Sequence, residues 1–388
     1  MIALKLAFKN LMGAGLRTWL NVTVLSFAYV LIIFWNGMLN GWDKQGSRDT
    51  IEWEAGKGQL WHPAYDQYDV FSIQDAHAAV TADAEKLVKE GKLTPILFTP
   101  ATAYPQGRQQ GILLKGIDPE QKIIKIPSRL LKKNSNSDNL AIIGKRTAKA
   151  MQLKENDHML VRWRDKNGTF DAMEITIAGI FKTNVPSVDA GQVWLNLDTL
   201  RRMTGTPAEA TILVSGSDDI KSDIGIWQYK DLDFLLADLN KIIESKRASA
   251  MIIQGMLLVI ALLAIFDTQV LSIFRRQKEI GTYIALGMTR TQVVGIFTVE
   301  GGAHSILAAL LGAVYGIPLF IWLSTKGISF GVNDMGITMA ETIYPFYSIG
   351  LIITTTVFVI ASATIVSYIP AKKISKMKPT DALKGKVS

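Results

Sequence analysis

Residues Ala248–Phe274 read ASAMIIQGMLLVIALLAIFDTQVLSIF, 27 positions with a single charge at Asp267. A bilayer core about 30 Å thick is crossed by roughly 20 helical residues, so this stretch is long enough to span it. Three more stretches of similar length follow the same rule: Leu20–Leu39, Gly302–Leu323 and Tyr347–Tyr368. Four of them in 388 residues exclude an ordinary soluble enzyme and point to an integral membrane protein. The expected fold class is an α-helical membrane protein with four transmembrane helices, with a mixed α/β extracytoplasmic domain between helices one and two.

Working outward, the polar block Gly41–Arg247 holds 28 Lys/Arg and 28 Asp/Glu, so the net charge of +8 is carried by the flanking segments. Those segments are Lys5, Lys9 and Arg17; Arg275, Arg276, Lys278 and Arg290; and Lys372, Lys373, Lys376, Lys378, Lys384 and Lys386. The connection Ser324–Phe346 has only Lys326. The positive-inside rule therefore puts both termini and the second-to-third connection in the cytoplasm, and the large block outside, in the periplasm if the membrane is a bacterial inner membrane. The basic runs read as anionic-lipid contacts rather than a nucleic-acid surface. The first apolar stretch exceeds the 7–15 residues of a signal peptide's core and has no small-x-small site after Leu39, so it is expected to stay as helix one. With no cysteine, no disulfide framework or thiolate metal site is available.

Inside the block, apolar β-branched runs bounded by turn residues predict strands at Thr94–Phe98, Ile112–Gly116, Leu140–Ile143, Met159–Arg164, Glu174–Ile180, Gln192–Leu195 and Thr211–Val214. Helices are expected at Ala76–Lys89 and Lys145–Met151, a loop at Lys132–Asp138 and a hairpin turn at Asp165–Gly168. Leu232, Leu235, Leu236, Leu239, Ile242 and Ile243 recur at helical spacing and lead without Pro or Gly into helix two, predicting an uninterrupted stalk. Trp53, Leu60, Trp61, Tyr65, Tyr68 and Phe71 offer either an amphiphile-binding surface or ordinary core.

Catalytic motifs are absent: there is no G-x-x-x-x-G-K-[ST], G-x-G-x-x-G, H-E-x-x-H or G-x-S-x-G. His62, His77, His158 and His304 show no ligand spacing, and Asp218, Asp219 and Asp223 read as a solvated turn. No catalytic residue, cofactor or metal is assigned. In the membrane segments, Gly312 and Gly316 form a G-x-x-x-G pair for close helix packing, either within the unit or across a dimer. Pro318 is expected to kink that helix. Asn21, Thr23, Ser26 and Asn36 are too scattered for an ion path. Asp267 lies two turns from Arg275 and reads as a wetted residue or a hydrogen-bonding partner.

The connection 275–300 reads RRQKEIGTYIALGMTRTQVVGIFTVE. R-x-x-E-I-G, then A-L-G-M-T with a basic residue, then V-E-G at the head of helix three resembles the signature of FtsX-like permeases, the membrane half of MacB-type ABC transporters. The amino end L-A-F-K-N-L…L-R-T-W-L-N and the tail Y-I-P-A-K-K-I-S-K-M-K-P-T-D-A-L at 368–383 fit the same pattern. So do L-L-K-G-I-D-P at Leu113–Pro119, A-I-I-G-K-R-T-A-K-A-M at Ala141–Met151 and I-A-G-I-F-K-T at Ile177–Thr183. Asn156-Asp157 departs from the Gly-Asp expected there.

The resemblance implies a domain order of 1–40 interfacial helix and helix one, 41–247 periplasmic MacB-type domain with stalk, and 248–388 helices two to four with a coupling helix at 276–287. It implies a permease working as a homo- or heterodimer, with ATP and Mg held by a separate cytoplasmic ATPase. Glu279, Ile280, Gly281, Leu286, Gly287 and Met288 carry over as the ATPase contact; the alternative is that they only cap an interfacial helix. The lipoprotein-releasing branch is the most similar. Extraction of a lipoprotein or other amphiphile, with a periplasmic carrier, leads over efflux of a drug, peptide or toxin through an adaptor. Regulation of a cell-wall hydrolase comes third.

Overall fold

The computed structural model describes residues 16–132, 139–329 and 342–376. The expected amino-terminal interfacial segment, most of the loop after Lys132 and the tail beyond 376 lie outside the described residues. The chain divides into two compact units. Among described residues, one holds 16–42, 243–329 and 342–376, and the other 43–132 and 139–242.

The first unit is built on four helices: α1 (Leu16–Thr50), α6 (Ala237–Arg275), α8 (Arg290–Lys326) and α9 (Ile349–Ala371), with a short α7 (Gln277–Ala285) between α6 and α8. The four are long and apolar enough to cross a membrane by length and composition. Local chemistry sets their starts. The Thr289 hydroxyl accepts from the Gln292 amide (3.3 Å) while the Gln292 side chain accepts from the Thr289 amide (2.9 Å), closing a capping box on α8. Ser348 caps α9 by accepting from the Leu351 amide at 3.1 Å.

One face of each helix is shared. Leu25 and Ile33 of α1, Ile265 of α6, Ala308 of α8 and Ala363 of α9 form one buried cluster. The opposite faces leave Ile260, Leu263, Val314, Ile321, Val357 and Ile365 exposed, an apolar exterior that suits acyl chains rather than water. Gly312 and Gly316 face α1: a Cβ at Gly312 would meet Tyr29 at 3.0 Å and Val30 at 3.1 Å, and one at Gly316 would meet Val30 at 3.1 Å. The G-x-x-x-G pair therefore serves packing within this unit. The polar residues of α1 make interhelical bonds: Ser26 with Tyr315 (2.9 Å), Tyr29 with Thr356 (2.7 Å), Asn36 donating to Gln254 (3.1 Å) and Asn21 donating to the Ala264 carbonyl (3.3 Å). Asp267 is exposed.

The second unit is a nine-stranded mixed sheet. Its strands are β1 (Gln59–Trp61), β2 (Leu93–Tyr104), β3 (Gln110–Ile117), β4 (Leu140–Gly144), β5 (His158–Arg164), β6 (Phe170–Phe181), β7 (Gln192–Asn196), β8 (Ile212–Ser215) and β9 (Gln228–Lys230). Their order is β9-β1-β8-β2-β3-β7-β4-β6-β5, and β5 returns to pair with β2 from Ala101 to Tyr104, closing six of the strands into a ring. The β3/β7 and β4/β6 pairs are parallel, the others antiparallel. Alternation along the strands divides two cores. Leu97, Ile143, Val161, Ile177 and Leu195 fill one. Phe98, Ile142, Trp194 and Ile212, with Trp61 of β1, fill the other. Helices α2 (Ala82–Lys89), α3 (Lys145–Met151), α4 (Pro186–Asp189) and α5 (Leu197–Thr204) pack against its strands.

Two expectations need correction. The helix placed at Ala76–Lys89 begins at Ala82, because Ala78 and Ala79 pair as a strand with Ala210 and Glu209. The stalk is continuous with helix two from Ala237, α6 running unbroken to Arg275, but does not begin at Leu232. A turn of helix at Leu232–Leu235, capped by Asp231 accepting from the Phe234 amide at 2.8 Å, is broken at Leu236 before α6 begins at Ala237. The apolar spacing that predicted one helix is satisfied by two, since Leu236 and Leu239 are both buried. The six residues read as an amphiphile-binding surface or ordinary core divide between the two surroundings. Leu60 and Trp61 are buried strand residues, Trp53 stacks on Phe181 at 5.7 Å, and Tyr65 packs against the second core; Tyr68 and Phe71 remain exposed, Phe71 at 89%.

Candidate coupling site

Helix α7 is short because sequence stops it at both ends. Its last turn closes through Leu286 N–H to the Thr282 carbonyl (2.9 Å), Gly287 N–H to Ile284 (3.1 Å) and Met288 N–H to Tyr283 (3.1 Å). Gly287 holds φ +96°, a conformation that side chains rarely adopt, with open space around it. Its role is thus the turn itself. The Thr289 box then starts α8 immediately, leaving Leu286–Thr289 as a tight corner.

One face of α7 is fixed. Ile280 is fully buried with Val293, Val294 and Phe297 of α8 and with Ala371 and Ile374, and Tyr283, Ile284 and Met288 pack against this cluster. Burying a side chain of that size contributes about 1.5–3 kcal/mol. The other anchor is electrostatic. Arg276, just before α7, donates from Nε to Glu279 Oε2 at 2.7 Å and from Nη1 to both oxygens of Glu300 at 2.9 and 3.2 Å. Its guanidinium lies 4.8 Å from the Phe297 ring centre. Glu300, on α8, keeps only 7% of its side chain exposed. Burial works against the charge on Arg276, but the hydrogen bonds and charges of Glu279 and Glu300 outweigh it and raise its pKa. A pair this enclosed ties α7 to α8, unlike a solvated surface bridge.

What stays outside is the opposite edge. Of the six residues carried over as a partner contact, Glu279, Leu286 and Gly287 are exposed, Leu286 at 79%. Ile280 and Gly281 are buried and Met288 is half-buried, so these three support the helix from behind. Arg276 and Glu300 were in the quoted motif as R-x-x-E and V-E-G, but only as letters. The signal that could have paired them is an unmatched acid at the head of an apolar helix beside a basic connection. Among the described residues no group of three His, Cys, Asp or Glu is placed to hold a metal.

The family model described as FtsX-like permease C-terminal matches residues 251–379. An uncharacterised ABC transporter permease of Methanocaldococcus jannaschii is 25% identical over 228 residues, 54% of each chain. The lipoprotein-releasing system transmembrane protein LolC of Xylella fastidiosa is 21% identical over 319 residues, 74% of this chain and 76% of that one. The macrolide export ATP-binding/permease protein MacB of Escherichia coli is 22% identical over 408 aligned positions, 98% of this chain and 60% of that one. The chain thus spans between 54% and 76% of the length of these relatives. An extracellular domain of the noncanonic ABC-type transporter YknZ from Gram-positive bacteria aligns at 12% identity over 42% of this chain and 84% of that one, with a TM-score of 0.25, too low to bear on the fold. Residues 251–379, with the Arg276–Glu300 anchor and the projecting Leu286 among them, form an FtsX-like permease domain, in a chain homologous to the MacB and LolC permeases.

Proposed function

We propose that this chain is the permease subunit of a MacB-type ABC transporter in a bacterial inner membrane. It passes force from an ATPase lying outside these residues to its α/β unit, so that a lipid-anchored or amphiphilic substrate such as a lipoprotein leaves the membrane. The observation that carries this reading is α7: fixed to α8 by Ile280 and by the Arg276–Glu300 pair, and exposed along Leu286 and Glu279. A helix held on one side and bare on the other is suited to receiving a push from a docked partner and passing it to the helix behind. ATP and Mg belong to that partner, and two copies of the permease, identical or paired with a related chain, would receive the two strokes. The distribution of basic residues supports an orientation with both termini and α7 in the cytoplasm and the α/β unit in the periplasm.

Extraction from a membrane requires such a drive. Each buried methylene resists removal by about 0.8 kcal/mol, so one sixteen-carbon chain opposes it by roughly 12 kcal/mol. The likeness to LolC over most of both chains supports this substrate class. The likeness to MacB over 98% of this chain supports a second reading, export of a drug, peptide or toxin through a periplasmic adaptor.

Two experiments test the proposal. Leu286→Glu removes no internal contact and places a charge on the free edge, so the purified permease should keep its thermal stability and lose a co-purifying ATPase. Retention of the ATPase by this variant and by Glu279→Lys would remove the site assignment. Photo-crosslinkers at Tyr68 and Phe71 separate the substrates: capture of an acylated protein supports extraction, capture of an adaptor supports export, and capture of a hydrolase overturns both.

A further inference from the structure

The second unit encloses a cavity of about 360 Å³, within the range of small-molecule sites. Its walls include Trp61, Tyr65, Phe98 and Trp194, whose rings make it apolar. Lys115, a strand residue of β3, points into it with only 5% of its surface exposed. The Lys115 ammonium lies 4.9 Å from the Phe98 ring centre and 5.2 Å from that of Trp194, and donates one hydrogen bond, 3.0 Å to the Ser187 carbonyl. An ammonium has three donors, and no carboxylate lies within ion-pair distance among the described residues. A buried charge so sparsely partnered costs folding free energy that packing alone does not return. Thr50, at the end of α1, also lines the cavity, and its buried hydroxyl has no hydrogen-bond partner.

The cavity has a second polar side. Glu54, which accepts from the Ser187 hydroxyl, and Asp238, near the start of α6, both line it, Asp238 at the solvent end. A simple anion would meet Lys115 favourably and these two carboxylates unfavourably. A simple cation would meet the reverse. A molecule carrying both charges, with an apolar body for the aromatic walls, matches every group.

We propose that this cavity binds a zwitterionic amphiphile, with an anionic oxygen on Lys115, a cation toward Glu54 and Asp238, and its apolar part against Trp61, Tyr65 and Phe98. The inference goes beyond the coupling function, because binding is measured without nucleotide or ATPase and its failure leaves the α7 assignment intact. The probe is octylphosphocholine, kept below its micellar concentration and titrated calorimetrically into full-length protein held in a non-ionic amphipol. Saturable binding at least tenfold tighter than that of octyl sulfate, octyltrimethylammonium or octyl glucoside is expected. Lys115→Met, checked for unchanged thermal melting, should weaken phosphocholine binding at least tenfold. Glu54→Gln, which keeps the shape and loses the charge, should narrow the preference over octyl sulfate, and it serves as the test should Lys115→Met not fold. The proposal is overturned by equal binding of octyl glucoside or octyl sulfate, by an unaltered affinity in either variant, or by the absence of saturable binding.

Discussion

Removing one member of the Arg276–Glu300 pair should destabilise the protein asymmetrically. Arg276→Met leaves Glu300 buried, 7% exposed, with its cation gone, a situation that costs about 3–5 kcal/mol. Glu300→Gln leaves Arg276 with Glu279 still at 2.7 Å and with 17% of its side chain in solvent, so the loss approximates a charged hydrogen bond, about 1.5–3 kcal/mol. The double variant removes both charges together and should lie near the milder single, giving a coupling energy about the size of the harsher single, about 3–5 kcal/mol. Glu279→Gln supplies the comparison, since Glu279 is 53% exposed and an exposed pair contributes about 0.2–1 kcal/mol. Reversible unfolding in mixed micelles gives the four free energies. A coupling below about 0.5 kcal/mol, or equal costs for the two singles, would refute the claim that this pair is a buried anchor rather than a surface contact.

Three further outcomes follow from the packing. Gly312→Val should lower the unfolding free energy by about 1–3 kcal/mol, because Tyr29 and Val30 stand 3.0–3.1 Å from the added carbon, whereas Gly255→Ala, with open space, should gain up to about 1 kcal/mol; thermal melts of both variants decide it. Leu60→Ala should cost about 2–5 kcal/mol and Phe71→Ala stay within about 0.5 kcal/mol, a contrast readable in denaturant titrations that separates core from surface in the aromatic segment. Stability should also rise with alkalinity through Lys115. Burial lowers its pKa from 10.5, with Glu54 partly opposing, so between the folded and unfolded values the unfolded chain holds the extra proton and raising the pH favours the fold; unfolding curves of Lys115→Met should lack this rise.

Hydropathy and β-branched runs carried most of the architecture, since both report a period imposed by what each face touches. The seven expected strands fall on β2 to β8, and Lys145–Met151 coincides with α3. The two strands of the nine-stranded sheet that escaped, β1 and β9, are three residues each, too short for an alternation to register. Helix α5 escaped for a different reason: its signals, Asn196 accepting from the Asp198 amide at 2.9 Å and Gly205 at φ +70°, are caps rather than periodicity. The break at Leu236 was invisible because nothing in its side chain forbids a helix; the cap at Asp231 and burial on both sides decide it.

The coupling site was legible as a motif and illegible as a mechanism, and the difference lies in which residues touch one another. Helical spacing puts Ile280, Tyr283 and Ile284 on one face of α7, and the cluster with Val293 and Phe297 covers that face. It could not place Glu300 beside Arg276, because 24 residues and a tight corner separate them and only the return of α8 brings them to 2.9 Å. Once together they change what the motif means. The arginine and the two glutamates lock α7 to α8, while Gly287 turns the chain so that Leu286 is left outside. A load applied at Leu286 then meets the buried Ile280 and, at the head of α7, the Arg276–Glu300 pair, so α7 moves with α8 instead of bending away from it. Loosening that lock should therefore separate docking from transmission: a permease with Glu300→Gln keeps its exposed edge and its ATPase, yet passes on less of each stroke.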